Sequence, residues 1–148
     1  MAELRLALVL AAGCSTANAG PTTMAGPSGW PELDAIATAA AAAAKVDGVT
    51  VEAAGAWGDA ARGCYAVAIQ LRGGGTASQI VDGIAAAGIA TREVVYAGDG
   101  VTLGVSRAPY DGRVVAQAGA DGHVAAHACF WNDREPAACA ATCAGWLK

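Results

Sequence analysis

The chain is expected to adopt an α+β fold, a small antiparallel sheet with helices packed on one face and a C-terminal helix fastened to it by disulfides. Three observations lead there. Apolar residues recur at helical spacing in 31–46, 78–87 and 137–146, they alternate with polar ones in several of the segments between, and Cys64, Cys129, Cys139 and Cys143 are shared between strands and the last helix.

Taken in order, Pro31 followed by Glu32 and Asp34 makes a favourable helix start, because proline is tolerated in the first turn and acids face the positive end of the helix dipole. Leu33, Ile36, Ala40, Ala43 and Ala44 share one face, and Lys45 with Asp47-Gly48 supplies the stop. Val49 to Glu52 and Cys64 to Leu71 alternate as strands, the second ending at Gly73-Gly74-Gly75. Ile80, Val81, Ile84 and Ala87 return to helical spacing over Ser78 to Ala87. Arg92 to Ala97 and Val101 to Arg107 flank Asp99-Gly100, a two-residue hairpin signal. Val114 to Gln117 and Val124 to Phe130 flank Asp121-Gly122 in the same way. Asn132-Asp133 is expected as the cap of a final helix with Pro136 in its first turn, running from Ala137 to Trp146. The first two-thirds can also be read as two tandem helix-strand-strand units.

A chain of 148 residues is expected to form one domain. Its hydrophobic fraction of 55% includes 40 Ala, which remove little apolar surface from water when buried, so the core is lean and calls for covalent support. Nine basic and thirteen acidic side chains leave a net charge of −4 without a cluster of either sign, which argues against nucleic acid as a partner. No stretch approaches the roughly 18 consecutive apolar residues of a membrane span, and the run Ala39 to Ala44 is too short and too weakly apolar.

Residues 1–19 have the three-part layout of a secretory leader: Glu3 and Arg5, the apolar run Leu6 to Ala12, then small polar residues. Ala17-Asn18-Ala19 before Gly20 resembles a general signal-peptidase site. Ala11-Ala12-Gly13-Cys14 resembles the lipobox of bacterial lipoproteins (11–14), in which Cys14 would be lipidated, although Leu10 stands four rather than three before the cysteine. Residues 20–29 are expected as a flexible linker and 30–148 as the domain. Together these place the protein in the cell envelope: an outer-membrane or cell-surface lipoprotein, or a periplasmic or extracellular protein if cut after Ala19. Contact with a membrane is expected only through Cys14.

With Cys14 lipidated or removed, four cysteines remain for two bridges. Cys139 and Cys143 lie one helical turn apart with Cβ vectors along one face, so a bond between them is disfavoured. Of the two remaining pairings, Cys64–Cys143 with Cys129–Cys139 is preferred, because Cys139 is nearer the turn at Asn132-Asp133.

No catalytic motif stands out. Neither Cys129 with His127 nor Ser106 with His123 and Asp133 has the local signature of a nucleophilic enzyme, and the Gly-rich stretch 73–75 lacks the Lys-Ser/Thr of a phosphate loop. His123 and His127, four apart and on one side of a strand, are candidate metal ligands, with Asp121 or Asp133 as further donors. Phe130-Trp131 and Trp146 are expected to shield a disulfide or to form an aromatic platform. Gln79-Ile80-Val81-Asp82-Gly83 resembles the QxVxG loop of cystatin-type cysteine-protease inhibitors, which also combine a helix, an antiparallel sheet and two C-terminal disulfides; the family's Pro-Trp pair is replaced here by Trp30-Pro31. The favoured expectation is a non-enzymatic binding or structural module without a cofactor, its ligand a protein, glycan or small molecule. A metal-binding protein using His123 and His127 is the alternative.

Overall fold

The computed structural model describes residues 24–45, 48–73, 75–119 and 121–148. The leader, both cleavage sites and Cys14 lie outside them. In chain order the elements are α1 (Asp34–Ala44), β1 (Thr50–Asp59), β2 (Cys64–Arg72), α2 (Ala77–Ala86), β3 (Ala90–Ala97), β4 (Gly100–Arg107), β5 (Tyr110–Ala118), β6 (His123–Trp131) and α3 (Pro136–Trp146). The strands form one antiparallel sheet in the order β1-β2-β6-β5-β4-β3. This is the α+β architecture that the periodicities predict. Two helix-strand-strand units, α1-β1-β2 and α2-β3-β4, stand at opposite edges, and β6 and β5 fill the space between them.

Strand pleating divides the residues between two faces. On one face Val67, Leu103, Val114 and Phe130 pack under Ile36 and Ala40 of α1 and Val81 of α2. Ala39 and Ala40 are almost wholly buried, which lets the helix backbone lie close to the sheet. On the other face α3 covers Ala66, Ala68 and Cys129, with Trp57, Trp131 and Trp146 around it. Helices therefore occupy one face along the sheet, and the disulfide-fastened helix lies on the other over β2 and β6.

Several boundaries differ from expectation for local reasons. Pro31 to Leu33 do not begin the first helix but extend along the edge of β1, where the Leu33 N–H donates to Ala56 O at 2.8 Å and the Gly58 N–H to Pro31 O at 3.0 Å. β1 continues well past Glu52, because its Ala and Gly residues, which carry no alternation signal, are small enough for Trp57 to fold back over Gly55. The first hairpin turns at Gly98-Asp99 rather than Asp99-Gly100, since Ala97 pairs with Gly100 and Gly98 takes the positive φ of 57°. β4 and β5 are joined at Ala108-Pro109, so the two expected hairpins are one four-stranded meander. α2 begins with a capping box that the periodicity does not reveal: the Gln79 N–H donates to Thr76 Oγ1, and the Thr76 N–H to Gln79 Oε1. α3 is not capped by Asn132-Asp133. Glu135 occupies the cap position without a side-chain bond, and Asn132 Oδ1 accepts the Arg134 N–H within the connecting turn. Residues 24–29, expected as linker, pack on the domain, where Pro27 is buried and Ala25 O accepts the Trp146 indole N–H at 2.9 Å.

The bridges are Cys64–Cys139 and Cys129–Cys143, correcting the preferred pairing. Register explains it. Cys64 stands opposite Trp131, and Cys129 lies two residues farther from the turn, about 7 Å along β6. The chain leaves β6 beside Gly63, where the Asn132 N–H donates to Gly63 O, and α3 runs back over the sheet. Four residues of helix advance about 6 Å. Cys139 therefore meets Cys64, and Cys143, one turn on, meets Cys129.

Candidate functional site

The face carrying α3 holds most of the side chains singled out from the sequence. His123, His127 and Cys129 share the same side of β6, but residues four apart in a strand are separated by about 13 Å, and the two histidines enter different surroundings. His127 is half-buried against Trp146, ring centroids 5.1 Å apart and edge-on, and its loss of hydration holds the imidazole below its ordinary 6.5. His123 sits at the other end of the strand. Its Nε2 lies 3.2 Å from Glu52 Oε2 and 3.2 Å from Arg72 Nη2, and its Nδ1, shielded from water, lies 2.7 Å from Asp121 Oδ2 but outside good hydrogen-bond alignment. Arg72 completes the group with a 2.7 Å ion pair to Glu52. The His123 backbone N–H and then its ring hold the Asp121 carboxyl below its usual range. The structure thus does not bring the two histidines together as common ligands, and Cys129 is committed to a disulfide.

Aromatic shielding is found where the sequence suggests it. Trp131 and Trp146 flank Cys129 and Cys143, and Trp57 meets Trp146 edge-on at 5.9 Å. Phe130, by contrast, points into the opposite core. The segment resembling the cystatin loop lies inside α2, with Gln79 spent on the cap and Val81 buried, so it is not an exposed loop.

Beyond α3 no helix among the described residues covers the same face over β5, β4 and β3. There it mixes the exposed Val95 and the half-buried Val115 with charged pairs: Arg92 lies over Gly104 and pairs with Asp111 at 3.3 Å, and Arg113 approaches Glu93 at 3.7 Å. Such exposed pairs add little stability but keep this face of the sheet hydrated.

One cavity was not foreshadowed by any motif. It has a volume of about 150 Å³ and opens at the outer edge of β1. Its walls combine the small residues Ala37 and Ala53 to Ala56 with Met24 and Trp57, and the exposed Glu32 and Asp34 complete its lining. The sequence signal is faint: a run of small residues in a strand, next to an edge that begins with two acids.

The two disulfides indicate an oxidising, extracytoplasmic environment. No helix among the described residues is long and apolar enough to cross a membrane. Comparison with known proteins returns no matching family, no matching characterised sequence and no matching solved structure.

Proposed function

We propose that this chain is an exported envelope protein, secreted or held to a membrane by a lipid on Cys14, whose domain binds a partner instead of transforming one. The observation that carries the reading is the pair of disulfides fastening α3 to β2 and β6, since bonds of this kind persist in oxidising compartments and compensate a core built largely of Ala and Val. Its reactive groups are also engaged with one another: the four domain cysteines are oxidised, His127 packs on Trp146, and His123 lies among Glu52, Arg72 and Asp121. The partner is a protein, glycan or small molecule met outside the cytoplasm.

The test is to express the full chain with its own leader in a bacterial host and measure its intact mass in each cell fraction. A mature start at Cys14 with added acyl mass supports the anchored form, and a start at Gly20 the released form. An unprocessed product in the cytosol with reduced cysteines overturns the reading. Elemental analysis of the same preparation addresses the metal-binding alternative: one zinc or copper per chain, lost when His123 and His127 are both changed to Ala, would replace the present reading.

A further inference from the structure

The two bonds that tie Pro31 to Leu33 onto β1 also reveal which way the rest of that edge faces. In an antiparallel strand a residue directs its N–H and its C=O to the same side. Ala56 O and the Gly58 N–H both point away from β2, toward the 31–33 segment. The register Ala54↔Ile69, Ala56↔Val67, Gly58↔Tyr65 runs without a break, so Ala54 directs both of its backbone groups outward as well. At Asp34 the chain turns into α1 and leaves this edge. The Ala54 N–H and C=O and the Ala56 N–H are then left without a backbone partner among the described residues.

Ala54 and Ala56 line the cavity, together with Ala37, Ala53 and Gly55 and the larger Met24 and Trp57. The small side chains along the strand itself let another backbone approach it closely. The exposed carboxylates of Glu32 and Asp34 stand at the cavity's rim, and among the described residues no basic side chain lines it. We infer that this edge is a docking site for a short extended peptide carrying a lysine or arginine, which continues the ladder begun by Pro31 to Leu33 and sets its cation beside Glu32 and Asp34. Main-chain bonds supply the binding, as in other cases of strand addition, and the acidic rim selects the charge.

A second copy of the chain suits the site poorly. The free edge is short, bounded by Leu33 on one side and by the irregularity between Val51 and Ala53 on the other, so another ten-residue β1 laid alongside would collide with the 31–33 segment. This inference rests on the reading of the domain as a binding module. The mass measurement above tests export independently, so either can fail alone.

The experiment is an amide NMR titration of the full-length protein with the blocked peptide acetyl-Thr-Val-Lys-Val-Thr-amide. Saturable shifts and slowed hydrogen exchange are expected at Ala54 and Ala56. Replacing the peptide lysine by glutamate should weaken binding about three- to tenfold, as for exposed ion pairs. The double variant Glu32→Gln, Asp34→Asn should bind the two peptides alike. A peptide N-methylated at both valines and at the lysine, which blocks both of its edges, should lose binding, and this control needs no change to the protein. Shifts that are absent, that fall elsewhere, or that survive N-methylation overturn the inference. So do shifts at Ala54 and Ala56 that grow with protein concentration alone, which would identify a second copy as the occupant.

Discussion

His127 shows how one residue links packing to solution behaviour. Burial against Trp146 penalises its charged form, so its folded value lies below the ordinary 6.5. For a group depressed on folding, the stabilisation is fully present above the unfolded value and is lost as pH falls through the folded one. Stability should therefore decline as pH drops below 6.5, before the carboxylates begin to titrate. Asp121, held low by His123, adds its own loss only in stronger acid, below 3.8. His127→Phe, which keeps a ring beside Trp146, should remove the decline just below 6.5, and urea melts of both proteins above and below that pH measure it. An unchanged pH dependence would show that His127 is more hydrated than its contacts with Trp146 imply.

Among the elements, α2 is the one whose existence rests most on its first turn. It is ten residues long, only Ala77 and Val81 are buried, and its start is held by the reciprocal bonds of Thr76 and Gln79. Thr76→Ala should cost about 1 kcal/mol. Gln79→Ala removes the other half of the box, and the two losses should fall short of additive because the bonds support one another. Equilibrium denaturation of the single and double variants tests this. The same scale explains why α3 needs no side-chain cap: two covalent bonds hold it where a hydrogen bond would otherwise be required.

Across the whole molecule, the disulfides divide the stabilising role unequally. Cys64 and Cys139 are 75 residues apart and Cys129 and Cys143 only 14. On the chain-entropy account the longer loop restricts the unfolded chain by about 4.5 kcal/mol and the shorter by about 3. Replacing Cys64 and Cys139 by Ala should thus lower stability more than replacing Cys129 and Cys143, by about 1.5 kcal/mol if native packing is unchanged. Against a total of about 5–15 kcal/mol for an ordinary domain, loss of both bridges should leave little cooperative unfolding. Non-reducing peptide mapping and denaturation of the paired variants check the connectivity and the order. Equal losses would place the shorter bridge's effect in the native packing around Trp57 and Trp146 instead of in the unfolded chain.

Periodicity, turn residues and cysteine parity were enough to determine the class of fold, the type of each helix and most strands, and the participation of four cysteines in two bridges. Periodicity and turn residues sufficed because each depends on neighbours a few residues away, and parity because it is a count that needs no geometry. Ala53 to Asp59 carry no strand signal, since Ala and Gly give no contrast between faces, although in the sheet they make the edge and line its cavity. Which cysteine meets which was decided by the cross-strand register that sets Cys64 opposite Trp131, a relation between residues 67 positions apart. The separation of His123 from His127 likewise followed from the strand's extension, which turned a shared side into two distant environments. Local pattern determined the elements, but pairing, edge and site belong to distances across the sheet, and those exist only once the chain has closed on itself.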